Sequence, residues 1–366
     1  MIKGKANSRR PAVSRARLIW AIVAKDFVDG LKNRKMLTNV FTVVFLIALY
    51  RFLPVLGSAN DPVRVFLYDA GESSIVREFD RSDAVRLRSV ESYDEMLRRV
   101  GREDVPSIGL VLPVDFDQQL NANEAVDLEA VIDHWLSPED EAFMQTEVEA
   151  ELTRLSSTSV EVNVGRETIT QADGGFAFSI ALGLLVVMGM MGMMYTPQLI
   201  VEEKESRTID ALKVSPATMT DMLIAKVLVG GAYSLLMSVA VLVAYGHLVQ
   251  HWWVMIGAML AGAFFNVAIG LLLGLQLKDS RQVGLWGFIV FQPLIITTIV
   301  GLFEAFPESV HNVMRWFPTV ALGNAASQSI TAQVDLGLYL FSLLIMIAWG
   351  ALFFGLNAWL VKRAER

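Results

Sequence analysis

Six stretches of this chain are each about 20 or more residues long and nearly free of charge. That is the length at which a helix crosses a lipid bilayer. They fall at about 37–56, 175–197, 221–248, 252–277, 283–303 and 336–361. Runs of this kind leave little room for a soluble globular fold. Composition agrees: 54% of the 366 residues are hydrophobic and 19% charged, against an apolar share of about 45–50% and a charged share of about 25% in soluble domains. The charges are also segregated. Residues 1–36 hold ten Lys or Arg and two acids, whereas residues 57–173 hold 26 acids, ten Arg and no Lys.

Short loops rich in Lys and Arg stay on the cytoplasmic side of a membrane. This rule puts the N-terminus inside. An even number of spans returns the C-terminus to the same side, where Lys362, Arg363 and Arg366 make the tail basic. Lys278 and Arg281, between the fourth and fifth runs, also fall inside, and the 248–251 connection on the other side has no Lys or Arg. The expected location is the cytoplasmic (inner) membrane, multi-pass, with both termini cytoplasmic. The first run is longer than a signal-peptide core and follows about 36 residues, so it reads as an uncleaved anchor.

The expected fold class is an α-helical polytopic membrane protein of six transmembrane helices with an inserted extracytoplasmic α/β domain. Residues 1–36 form a basic cytoplasmic segment. Within it Ile19, Val23, Phe27 and Leu31 make one apolar stripe, with Arg17, Lys25, Asp29 and Lys32 off it. Such a helix either rests in the headgroup layer, its cations toward anionic lipid, or packs as an ordinary amphipathic helix on a soluble partner. Residues 37–56 are the first span and 57–173 the inserted domain. Residues 174–366 form a five-helix membrane domain with a cytoplasmic segment over 198–220. In the inserted domain, strands are expected at 63–68, 107–112 and 126–132, and helices at 92–100 and 138–155. Asp133, Glu139, Asp140 and Glu141 read as a solvated acidic face, with the last three in the first turn of a helix, where its dipole favours acids.

The segment Glu202-Glu203-Lys204-Glu205-Ser206-Arg207-Thr208-Ile209-Asp210-Ala211-Leu212-Lys213-Val214-Ser215-Pro216 sits between two apolar runs. Ile209 and Leu212, three apart, share a helix face, and a turn follows at Ser215-Pro216. Thr218 and Asp221 then have capping-box spacing. This segment resembles the coupling segment of ABC-2 type transporter permeases, "EEKE-x-x-T-x-x-x-L-x-V-S-P". The run Ile108-Gly109-Leu110-Val111-Leu112-Pro113-Val114-Asp115-Phe116 resembles a structural segment of those permeases with large outer domains. Ser206, and Thr208 directly after Arg207, depart from the usual pattern and leave contact details open.

The resemblance implies a permease subunit of an exporter, with ATP and Mg bound by a separate ABC ATP-binding subunit and no cofactor on this chain. It also implies a second permease protomer, either a homodimer or a sibling permease. Coupling to the ATPase is expected through Glu202, Glu203, Lys204, Arg207, Thr208, Ile209, Leu212, Ser215 and Pro216. The other partner expected is membrane lipid, with no nucleic acid. The chain contains no G-x-x-x-x-G-K-[ST], H-E-x-x-H or G-x-S-x-G motif, so no catalytic residue is expected on it. It has no cysteine and four histidines, so no metal centre is expected.

Three further features are candidates. The second span is rich in methionine, which suits a surface that repacks and equally suits ordinary apolar packing. Gln292-Pro293 interrupts the fifth span, and similar permeases place the second and fifth helices along the transport pathway. Met190, Met194, Gln292 and Pro293 are therefore candidate pathway residues. Gly262, Asn266, Gly270 and Gly274 recur in steps of four and form a helix-packing face. A different reading of the whole chain is a non-transporting membrane receptor or scaffold whose outer domain binds a ligand or cell-wall component.

Overall fold

The computed structural model describes residues 15–34, 62–82, 84–103, 105–122, 126–169, 175–206, 218–302 and 306–364, and single helical positions between 37 and 48. Most of the expected first span lies outside the described residues. Among the described residues, five helices are long and apolar enough to cross a membrane.

An amphipathic helix comes first (α1, Arg15–Lys32). A sheet unit follows: β1 (Val63–Asp69), α2 (Val76–Phe79), β2 (Val85–Val90), α3 (Tyr93–Arg102), β3 (Ser107–Leu112), α4 (Phe116–Asn121), β4 (Val126–Asp133), α5 (Pro138–Ser156) and β5 (Val160–Glu167). The spans are α6 (Gly175–Glu205), α7 (Met219–Tyr245, continued by one 3-10 turn to Leu248), α8 (Trp252–Gln276), α9 (Ser280–Leu302) and α12 (Leu336–Ala364). Between the last two lie the short helices α10 (Glu308–Met314) and α11 (Pro318–Ser327).

The sheet runs β2-β1-β3-β4-β5 and is parallel except between β3 and β4. Alternating burial divides its two faces. Leu67, Ile108, Leu110, Leu128 and Val162 pack with Met144, Val148 and Leu152 of α5. Phe66 and Val131 pack with Met96 and Val100 of α3. Both helices start on a serine cap, Ser92 accepting from the Glu95 amide and Ser137 from the Asp140 amide, each satisfying a donor the helix leaves open. Strands β2 and β5 were not anticipated. Each is an edge strand whose inward residues (Val85, Leu87; Val160, Val162) are interrupted by Arg or Glu, which masks the apolar signal.

Asp133 corrects the expectation of a solvated acidic face. It is 1% exposed and accepts from the His134 ring and backbone and from the Ile169 amide. Trp135 meets Phe176 of α6 edge-on at 4.7 Å, bringing the sheet unit against the start of that helix.

The small-residue face of α8 packs against α6. A methyl on Gly270 would lie 1.7 Å from the Gly192 carbonyl oxygen, and one on Gly274 would lie 2.6 Å from Ile200. Asn266 packs on Gly192, and Gly262 admits Met188 together with Leu322 of α11. Helices in lipid gain association mainly from such close packing. On α7, Gly231 has open space around it.

Gly270→Ala is expected to destabilise the protein by about 1–3 kcal/mol through overpacking. Gly231→Ala is expected to leave stability unchanged or slightly raised, as Ala favours helix over Gly. Thermal unfolding of the two variants in detergent, followed by intrinsic fluorescence, separates a packing seam from a general intolerance of added bulk.

Candidate functional site

Residues 202–205 do not stand apart as a surface segment. They form the last turn of α6, continuous with the span. Successive residues on an α-helix fan out by about 100°. Glu203, Lys204 and Glu205 therefore point in three directions, and each meets a different helix.

Glu203 accepts from Lys226 Nζ of α7 at 3.0 Å. The same ammonium donates to Asp26 Oδ2 of α1 at 2.7 Å. Lys226 is 2% exposed, and the side chains of Asp26 and Glu203 are 7% and 19% exposed. A lysine withdrawn from water is tolerable where opposite charges surround it, and here two carboxylates do.

Lys204 Nζ donates to the carbonyls of Gly274, Leu275 and Leu277 at 2.7–2.9 Å. Those are carbonyls at the end of α8, which lack intrahelical partners and carry the negative end of the helix dipole. Glu205 does the opposite at α9. Its carboxylate accepts from the Ser280 amide at 2.8 Å and the Ser280 hydroxyl at 2.7 Å, at the positive end of that helix. Glu202 accepts from Gln198, which also reaches Ser280.

Aromatic packing holds α1 beside this cluster. Phe27 stacks on Tyr233 at 4.8 Å, and Tyr195 meets Tyr233 edge-on at 5.1 Å. Tyr233 donates to the Phe27 carbonyl. Gly30 lets the helix this close, since a methyl there would sit 2.2 Å from the Tyr195 hydroxyl. A cavity of about 550 Å³ opens beside the cluster, lined by Asp26, Asp29, Tyr195, Glu202, Glu203 and Lys226 among others.

The expected stripe on α1 is partly realised. Ile19, Val23 and Phe27 pack inward, whereas Leu31 is exposed. The inward face also carries Asp26 and Gly30, which sequence reasoning passed over. The signal for this charge cluster was available: Lys226 is a lone cation inside an apolar run, and such a residue needs a partner.

Of the expected coupling residues, Arg207, Thr208, Ile209, Leu212, Ser215 and Pro216 lie outside the described residues. Just beyond them the Thr218–Asp221 capping box starts α7. Of the pathway candidates, Met194 packs against Gly287 of α9. Met190 lies elsewhere, among the residues around Tyr233. Gln292 is half-buried and Pro293 exposed within α9. Contacts thus join Met194 to α9 but do not gather the four residues at one point. His251 lies 3.4 Å from the Ala332 carbonyl.

The profile of ABC-2 family transporter proteins matches residues 34–359, which takes in the sheet unit and the helices from α6 to all but the end of α12. The chain belongs to the ABC-2 transporter family. A search of curated proteins finds no match. An ABC-2 transporter protein works in a membrane, and the long apolar helices among the described residues fit that setting.

In this ABC-2 protein, Lys226→Met leaves Asp26 and Glu203 facing each other without their cation. The expected cost is about 3–5 kcal/mol, the range for one partner removed from a buried charge cluster. Adding Asp26→Leu and Glu203→Leu is expected to restore most of it, because an apolar replacement of the whole cluster carries no stranded charge. Detergent melting curves of the single and triple variants give both numbers.

Proposed function

We propose that this protein is the permease subunit of an ATP-binding-cassette exporter in the cytoplasmic membrane. It moves its substrate outward using ATP hydrolysed, with Mg, on a separate subunit. The charged end of α6 faces the cytoplasm in this reading, with both termini and the basic segment 1–36, and the sheet unit faces outward. The distribution of Lys and Arg supports that orientation. Two permease protomers and two ATP-binding subunits make the working assembly. No catalytic residue is assigned to this chain.

One observation carries the reading. Three consecutive side chains at the end of α6 hold α7 with α1, the end of α8, and the start of α9. A push on this end is delivered to four helices at once. The segment that follows, 207–216, is the docking surface for the ATPase, with Arg207 and Thr208 as polar contacts, Ile209 and Leu212 as the apolar pair and Ser215-Pro216 as the turn. Glu203, Lys204 and Glu205 serve on the permease side of that joint, where they transmit force. Met194 and the α9 face that carries Gln292 border the pathway.

Co-purification tests this. An ATP-binding subunit is expected to accompany the full chain, and Arg207→Glu with Leu212→Ala is expected to cut its recovery at least about tenfold, a loss of about 1.4 kcal/mol. Full recovery with the double variant rejects the docking site. Thiol labelling of a cysteine introduced at position 210 is expected only from the cytoplasmic side.

A further inference from the structure

The helix α6 is not α-helical throughout. Residues Met190–Tyr195 form a π-helical turn, with Gly175–Gly189 before it and Thr196–Glu205 after it in ordinary α-helix. The Met191 carbonyl accepts from the Thr196 amide and from the Thr196 hydroxyl at 3.2 Å, an i to i−5 closure. A π turn holds one residue more than the α-helix it interrupts, and such turns recur at functional sites.

The surroundings of this turn are unusual in one respect. Three neighbouring helices each present a glycine to it. Gly270 of α8 faces the Gly192 carbonyl, Gly287 of α9 faces Met193 and Met194, and Gly230 of α7 faces Thr196. Larger side chains at these positions would interlock with α6 and fix its rotation. Glycines leave smooth backbone against which a helix can turn. The turn itself is built of methionines, whose unbranched side chains repack at low cost. Beside it, Asn266 donates to the Gly262 carbonyl while its buried Oδ1 has no hydrogen-bond partner. A native structure seldom leaves a buried acceptor open, and one beside an irregular turn is a reason to look for a second arrangement.

We infer that the Met190–Tyr195 turn is a register switch that converts between π and α when the ATPase acts on the charged end of α6. This rests on the function proposed above. Conversion adds about one α-helical step between the two halves of α6, about 100° of rotation and about 1.5 Å along the axis. Glu203 cannot stay on Lys226 through such a rotation, nor Lys204 on the end of α8. The three clamps therefore hold the π register, and releasing them frees the turn. In the α register Met193 and Met194 leave Gly287, which changes the surface that α6 presents to α9.

The chain has no cysteine, so a single pair can be introduced cleanly. Met194→Cys with Gly287→Cys suits a disulfide, because a Cβ on Gly287 lies 3.9 Å from Met194 Cα. The full complex is oxidised in membrane vesicles, without nucleotide and with ATP plus orthovanadate. Cross-linking is expected to be efficient without nucleotide and to fall at least about fivefold in the trapped state, the lower end of usual coupling. Hydrogen exchange of the unmodified complex supplies a second measurement, with altered exchange expected in peptides covering 188–198. Cross-linking and exchange that are both indifferent to ATP and vanadate, in a complex that hydrolyses ATP, overturn the switch and leave the exporter reading standing. A chain that purifies with no ATPase overturns the exporter reading, and the switch loses its driver with it.

Discussion

A lysine ammonium between two carboxylates, almost sealed from water, sets the arrangement at one end of this molecule. Lys226 belongs to a membrane span, and Asp26 lies 200 residues away on an amphipathic helix. Neither charge is tolerable in that setting without the other. The pair therefore fixes where α1 docks, and Glu203 adds the end of α6 to the same point. Aromatic stacking of Phe27 on Tyr233 and the close approach at Gly30 then fill the space that the charges define.

Directional clamps at one end contrast with close, non-directional packing in the middle. At the charged end, each contact is a hydrogen bond between a charged group and a specific partner, short and strongly oriented. At mid-span, α6 meets α8 through glycines and a π turn. Glycine contact gives close approach and dispersion attraction without interlocking ridges. A rotation of α6 has to break the directional contacts at its end, and that end is where an outside force acts on them most directly.

The spans were legible because lipid imposes one requirement, apolar length, and five of the expected runs correspond to helices within a few residues at most boundaries. The largest extension is at α6, whose apolar run ends near 197 but whose helix continues to Glu205. There the charges that looked like surface are bonded to neighbouring helix ends. Hydropathy registers charge but not the partner that makes it acceptable. The same limit hid Asp26 and the burial of Asp133. The face of Gly262, Asn266, Gly270 and Gly274 was legible as a packing surface because its four-residue step is geometric, but its partner was not, since no local pattern names the helix opposite. The π turn has no sequence signature beyond its clustered glycine and methionine.

The clamps differ in how they depend on sequence. Glu203 requires a particular lysine, so the α1–α6–α7 joint is specified by three side chains. Lys204 and Glu205 bind backbone groups or a serine at helix termini, and any α8 end or α9 start in that place offers carbonyls or amides. These two contacts depend on where the helices end more than on which residues they carry. Leu277 leaves the helical conformation just after Gln276, and α9 begins at Ser280. The connection between the two helices is thus short enough for one turn of α6 to hold both ends. A helix that grips the negative end of one neighbour and the positive end of the next, through adjacent residues of opposite charge, resists separation of the two. It also ties their positions to its own rotation, because neither contact survives a turn of about 100°. The order Glu-Lys-Glu at 203–205 is therefore a geometric requirement as well as a local balance of charge.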